Sequence, residues 1–303
     1  MNDTVLCVVE PENYPDDVAA RAAWLAKLFD CELELTLSDP SMSFLGESFV
    51  FYADMQRLAD TIKQEQDAIL HRLASSAEEL GIAVRTSTFS ERPEADTIAD
   101  KAESCNALFV VKGTHYHSPS ERASLAHTDW QLIRDLGRPL WFAKPTPWKD
   151  RTVAIAAVDP THRQDKLASL DREIIRRAQE IADKCDGKML LFHSYQRLEE
   201  IGSQATWKFK PEKLPIDELD EKIREEHRKA LDKLAEEFGI PPKAVHQLPG
   251  RTEELLPTFA RTNGASLVVM GALARTGLKK RFVGSTAAKV LDHLPCDVLV
   301  VHS

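Results

Sequence analysis

The strongest constraint on this chain is that its sequence repeats itself. "AEELGI" at Ala77 to Ile82 returns as "AEEFGI" at Ala235 to Ile240, which sets Gly81 and Gly239 158 positions apart. "FVVKG", ending at Gly113, returns as "LVVMG", ending at Gly271, at the same spacing. "LGRPLWFAK" from Leu136 is matched by "LPCDVLVVH" from Leu294, again 158 positions on. Self-similarity over half a chain means one supersecondary plan built twice. The first strands are offset less, Glu10 against Asp159 being 149 positions, so the second copy carries extra residues between its first and third strands. With 303 residues and roughly 100–200 residues per domain, the expectation is two domains, 1–146 and 151–303. Pro145 and Pro147 favour a short extended linker between them.

Short apolar runs recur through both copies: Val5 to Val9, Leu108 to Val111, Leu140 to Ala143, Val153 to Val158, Met189 to Phe192, Leu267 to Met270 and Val298 to Val301. None alternates cleanly with polar residues, which suits strands buried on both faces of a parallel sheet. Between them Met55, Leu58, Ile62, Ile69, Leu73, Ala77 and Leu80 keep helical spacing, as do Ile216, Leu219, Ile223, Ala230, Leu234 and Phe238. Each of these helices runs into a glycine, Gly81 or Gly239, a residue that tolerates the positive φ of a helix C-terminus. Each copy therefore reads as β-α-β-α-β-α-β-α-β with right-handed crossovers.

Charge and cysteine content narrow the function. Lys and Arg number 39 against 48 Asp and Glu, a net charge of −9, which argues against general binding to nucleic acid or an anionic membrane. The five cysteines form no C-x-x-C pair, so a disulfide framework is not expected and a reducing, cytoplasmic setting is. No stretch reaches the ~18 apolar residues of a membrane span, and the N-terminus lacks a basic start followed by an apolar run.

A glycine-rich loop in the second half carries the most chemistry. Gly271 follows the strand ending at Met270; Ala274, Arg275, Gly277, Lys279, Lys280 and Arg281 follow, then Gly284, Ser285 and Thr286 before a helical segment at Ala287 to His293. A glycine directly after a buried strand lets the backbone turn and approach a ligand. Free N–H groups and two hydroxyls at a helix start bind phosphate, and the basic residues supply local positive charge. The plainer reading is a helix cap beside a solvated basic face. Neither G-x-x-x-x-G-K-[ST] nor G-x-G-x-x-G is present.

The spacing Gly271-x2-Ala274-x9-Gly284-Ser285, with Val268 to Met270 before it and "AAKVLDHLPCDVLVV" after it, resembles the G-x2-G-x9-G-[S/T] motif of universal stress proteins. Val158 and Asp159 fit the place where that family sets an Asp at the end of the first strand. The resemblance covers both halves, so the chain resembles a tandem, two-domain member. It implies two doubly wound, Rossmann-like domains of the adenine nucleotide alpha hydrolase-like type. Each would hold a five-stranded parallel sheet of order 3-2-1-4-5. It implies pairing of the domains through their fifth strands, Leu140 to Ala143 and Val298 to Val301, which would cover two apolar edges; a homodimer would be a further step. It implies ATP or another adenine nucleotide in the second domain, with Mg²⁺ only alongside it. Asp159 would lie towards adenine and ribose, and Gly271, Gly284 and Ser285 at the phosphates, flanked by Val158, Ala274, Arg275 and Thr286.

The departures are informative. Ala274 replaces the middle glycine, and its Cβ would cost about 1 kcal/mol if a positive φ is needed there. In the first half the pattern reads Gly113-x2-Tyr116-x9-Ala126-His127, and Glu10 stands for the Asp. That copy is expected not to bind ATP. His115 and His117 form at most a weak metal pair, with no third ligand fixed by spacing. His193 follows the run Met189 to Phe192 and reads as a strand-end residue rather than a base. The apolar segment Phe44 to Tyr52 reads as packing, or alternatively as the wall of an apolar pocket. The stretch Ser203 to Lys213, with Trp207 and Phe209 among lysines, is too slight to indicate nucleic-acid binding, and no DNA partner is expected. No G-x-S-x-G, H-E-x-x-H or cysteine–histidine signature occurs. The leading expectation is a non-enzymatic, cytoplasmic stress-response protein with a nucleotide site in its second domain. The alternatives are a scaffold that binds an apolar or lipid-like molecule or a protein partner, and a very slow ATPase.

Overall fold

The computed structural model describes residues 3–38, 52–89, 94–114, 128–148, 151–161, 165–197, 216–272 and 289–302. They form two compact units that divide between Pro147 and Trp148.

The first unit contains β1 (Thr4–Val9), α1 (Pro15–Phe29), β2 (Glu32–Ser38), α2 (Tyr52–Glu78), β3 (Val84–Phe89), α3 (Glu94–Ser104), β4 (Ala107–Gly113), α4 (Thr128–Asp135) and β5 (Leu140–Ala143). All neighbouring strands are parallel, in the order β3-β2-β1-β4-β5. β1 is buried along its whole length, which is why its sequence is a continuous apolar run. Phe109 and Trp141 meet edge to face with ring centres 6.1 Å apart, and Phe29 of α1 closes on Phe109 at 5.0 Å.

The second unit repeats the plan with β6 (Val153–Ala157), α5 (Asp165–Lys184), β7 (Lys188–Tyr195), α6 (Ile216–Glu237), β8 (Val245–Pro249), α7 (Thr252–Thr262), β9 (Leu267–Gly271) and β10 (Asp297–Val301). Its strands, again all parallel, run β8-β7-β6-β9-β10. Numbered within the unit this is 3-2-1-4-5, as the resemblance implies. The extra residues inferred from the repeat fall partly in the first helix: α5 has 20 residues and α1 has 15.

Local sequence explains the boundaries. α1 starts on Pro15 with Asp16 and Asp17 in its first turn, where a missing N–H and negative charge both suit a helix start. Gly81 and Gly239 take φ of 81° and 64° just beyond α2 and α6, the left-handed conformation expected of them. One helix expectation needs adjustment. Leu58, Leu80 and Leu219 belong to the apolar stripes by spacing, yet all three are exposed. Of the segment expected as a helix from Ala287 to His293, the described residues are helical, Lys289 and Val290 leading into a 3₁₀ turn at Leu291–His293.

Candidate functional site

In both units the strand order reverses between the first and fourth strands, and open α/β sheets bind ligands in the crevice outside the carboxyl ends at that point. Val158 and Asp159 emerge there directly after β6. The peptide joining them is held from two sides. Its carbonyl, on Val158, lies 3.0 Å from His193 Nδ1 in β7. Its N–H, on Asp159, donates to Asp171 Oδ1 of α5 at 3.1 Å. The Asp159 carboxylate accepts from Thr161 Oγ1 at 2.8 Å.

Gly271 closes β9 beside this crevice. A Cβ built there would lie 2.5 Å from Leu170 Cδ2 and 3.0 Å from its Cγ, so a larger residue at 271 would push the Leu170 side chain of α5 aside. Packing against α5 therefore bears on this residue, besides the ligand approach assigned to it from sequence. Further along the edge, Ser194 and Thr252 share a 2.6 Å hydrogen bond. Glu253, in the first turn of α7, is paired with Arg251 and with Lys289 at 3.4 Å.

His193 lies within β7 rather than beyond its end, and is 1% exposed. Its Nε2 is 2.7 Å from Nδ1 of His227, which α6 supplies. The ring planes are 18° apart and the centres 5.0 Å apart, so the rings lie nearly coplanar and meet through their nitrogens. A carbonyl only accepts, so His193 Nδ1 carries a proton for Val158. In the neutral pair His193 Nε2 then accepts from the Nδ1–H of His227. Burial pushes the His193 imidazole below its ordinary pKa. The Val158 carbonyl and the Asp159 and Asp171 carboxylates pull the other way, while His227 adds to the fall. The partner was missed in the sequence, although His227 sits four residues after Ile223 on the apolar stripe of its helix.

At the same edge of the first unit charged side chains pair with one another. Lys112 of β4 is fully buried, with Nζ 2.8 Å from Glu10 Oε2 and 2.8 Å from Asp129 Oδ1. Asp129 Oδ2 accepts from Thr114 Oγ1 at 3.2 Å, and Glu10 Oε2 from Asn13 Nδ2 at 3.0 Å. Burial pulls the Lys112 pKa down, but Asp129 and Glu10 outweigh it and hold the ammonium above the ordinary lysine value. A Cβ on Gly113 would fall 2.8 Å from the Asn13 carbonyl oxygen. Glu94, at the start of α3, accepts from Ser38 Oγ and, at 2.8 Å, from Thr128 Oγ1. At the repeat spacing of 158, Lys112 and Asp129 correspond to Met270 and Ala287. The comparison of the two copies carried this signal as a lysine and an acid facing a methionine and an alanine.

Ala274, Arg275, Gly284, Ser285 and Thr286, the histidines His115 and His117, and the segments 44–51 and 203–213 lie outside the described residues. Among the described residues no group of three or more His, Cys, Asp or Glu side chains is placed to hold a metal. Among them, too, no helix is long and apolar enough to cross a membrane. A cleft of about 510 Å³ opens at the other end of the second sheet, between Gln179 and Asp183 of α5, Met189 and Leu190 of β7, and Ile240 and Pro241.

Comparison with known proteins agrees with this architecture. The Universal stress protein family matches residues 1–144 and 167–302. "Universal stress protein E" of Escherichia coli (strain K12) is 24% identical over 308 residues, covering 99% of this chain and 94% of that protein. A putative universal stress protein from Pseudomonas aeruginosa UCBPP-PA14 shares the fold with a TM-score of 0.67 at 23% identity, over 99% of this chain and 93% of that one. A universal stress protein from Archaeoglobus fulgidus DSM 4304 does so at 0.59 and 15% identity, over 98% and 96%.

Proposed function

Because this chain belongs to the universal stress protein family, we propose that it is a cytoplasmic, non-enzymatic stress-response protein whose second unit binds ATP or another adenine nucleotide. The observation that carries this reading is the contrast between the two carboxyl edges. The first unit satisfies its own edge with Lys112, Glu10 and Asp129. The second keeps a carboxylate after β6, Asp159, on a peptide fixed from both sides. By sequence it also keeps the Gly271, Gly284 and Ser285 spacing on which phosphate recognition rests. Asp159 would meet the adenine and ribose side, with Val158 beside it. Gly271, Gly284, Ser285 and Thr286 would meet the phosphates, and Arg275 would add positive charge. Mg²⁺ would enter only with the nucleotide. Hydrolysis is not part of the proposal.

Calorimetric titration of ATP with Mg²⁺ into the full chain tests it. Saturable binding with one nucleotide per chain is expected. Ala274→Gly should tighten it by about fivefold, the worth of about 1 kcal/mol of Cβ cost. No uptake by either protein would favour the second reading, a scaffold for an apolar small molecule. The 510 Å³ cleft with Met189, Leu190, Ile240 and Pro241 in its lining supports that alternative.

A further inference from the structure

We propose that His193 and His227, with Asp171, are positioning residues that hold the Val158–Asp159 peptide ready for a ligand, and that the histidine pair makes this hold sensitive to protons. The proposal rests on the nucleotide reading of the second unit and extends it to residues that the loop motif does not contain.

The geometry leaves little freedom. One peptide group has its carbonyl taken by His193 Nδ1 at 3.0 Å and its N–H taken by Asp171 Oδ1 at 3.1 Å. His193 is 1% exposed and Asp171 is 3% exposed, so neither partner is readily replaced by water, and buried polar groups without partners are costly. The plane of this peptide sets where the Asp159 side chain starts. His193 is held in turn by His227 at 2.7 Å, and the His227 ring lies 5.4 Å from that of Tyr195. The clamp thus runs from α6 through β7 to the end of β6.

Proton counting gives the pair a defined response. One added proton fits on the outer nitrogen of His227, Nε2, because its Nδ1–H still donates to His193. A second proton would have to sit on His193 Nε2, setting two N–H groups against each other, and the 2.7 Å contact would break. Among the described residues, the charged groups that act on His193 include Asp159 beyond β6 and Asp171 on α5. Near the Tyr195 ring, Arg197 follows β7, and Asp220, Glu221 and Arg224 lie on α6. Burial of His193 opposes a proton on its ring, and the two aspartates favour one.

The clamp can be read without any ligand. In ¹⁵N-resolved NMR of the histidines in the full chain, His193 should show a neutral Nδ1–H tautomer at about pH 7.5 and remain neutral after His227 has gained its proton. With ATP and Mg²⁺, His193→Leu should weaken binding about tenfold by removing the hydrogen bond to Val158. His193→Asn, which keeps a donor at that place, should stay within about threefold of wild type. Wild-type affinity should hold while His193 stays neutral and drop only once His193 itself is protonated and its contact with His227 breaks, a drop that His193→Asn should remove. A His193 that titrates freely or carries its proton on Nε2 would overturn the clamp, whether or not the leucine variant folds. Equal ATP affinity in wild type and folded His193→Leu would overturn its role in binding. A wild type that shows the tautomer but takes up no ATP would instead overturn the nucleotide reading.

Discussion

The two carboxyl edges share a backbone plan and differ in what completes them. In the first unit a buried lysine bridges two carboxylates, and every member of that group comes from the chain itself. In the second unit Met270 stands at the lysine's position, and the polar groups collect instead around one peptide, Val158–Asp159, and a histidine pair. A duplicated fold can thus keep its topology while the polar residues at its two carboxyl edges change. Fold and site are specified by different residues.

The largest expected effect comes from breaking the buried charged group. Lys112→Met would leave Glu10 and Asp129 without their shared cation, and removing one partner of a buried pair costs about 3–5 kcal/mol. Chemical denaturation should register that loss as a lowered midpoint. Pairing the change with Asp129→Ala, which gives the first unit the residue types of the second, should recover much of it. A double variant as unstable as the single one would mean that the network is not a closed group.

The next effect separates two glycines at equivalent positions. Gly113→Ala would press its Cβ against backbone, the Asn13 carbonyl, whereas Gly271→Ala would press against the end of a leucine side chain. Overpacking typically costs about 1–3 kcal/mol, and the backbone clash belongs at the upper end. Adding Leu170→Ala should relieve much of the strain of Gly271→Ala in a thermal melt. If it does not, the glycine at 271 answers to something other than α5.

A smaller effect is expected from pH. His193 and His246 both have pKa values lowered in the folded protein, chiefly by burial. The unfolded chain therefore binds more protons below the ordinary histidine value of about 6.5. Stability should be at its plateau above that value and fall as the pH drops towards the folded-state pKa values. His193→Asn should flatten the fall in melts run from about pH 7.5 to pH 5.

Legibility in the sequence followed burial. Strands buried on both faces, such as β1, β5 and β10, read directly as apolar runs because nearly every side chain on either face is packed against apolar neighbours. The edge strands β3 and β8 carry exposed or half-buried positions and left no such run. β2 was hidden differently. Its alternation places Glu34 and Thr36 on one face, where Ser87 donates to Glu34 and shares a hydrogen bond with the Thr36 hydroxyl, and Lys101 pairs with Glu34, so polar residues are buried in satisfied pairs. Asp159 and Gly271 are assigned from sequence through the family resemblance and the loop spacing. His193 with His227, and Lys112 with Asp129, join residues 34 and 17 positions apart, and no local pattern links such pairs before the sheet brings them together.

The central claim is that a nucleotide goes to the second edge and not the first. Photolabelling of the full chain with an azido-adenine analogue of ATP, followed by peptide mapping, tests it most directly. The account predicts labelled peptides from the second unit near Asp159 and the end of β7, protected by excess ATP. ATP-protected labelling around Glu10 and Lys112, with none in the second unit, would contradict it.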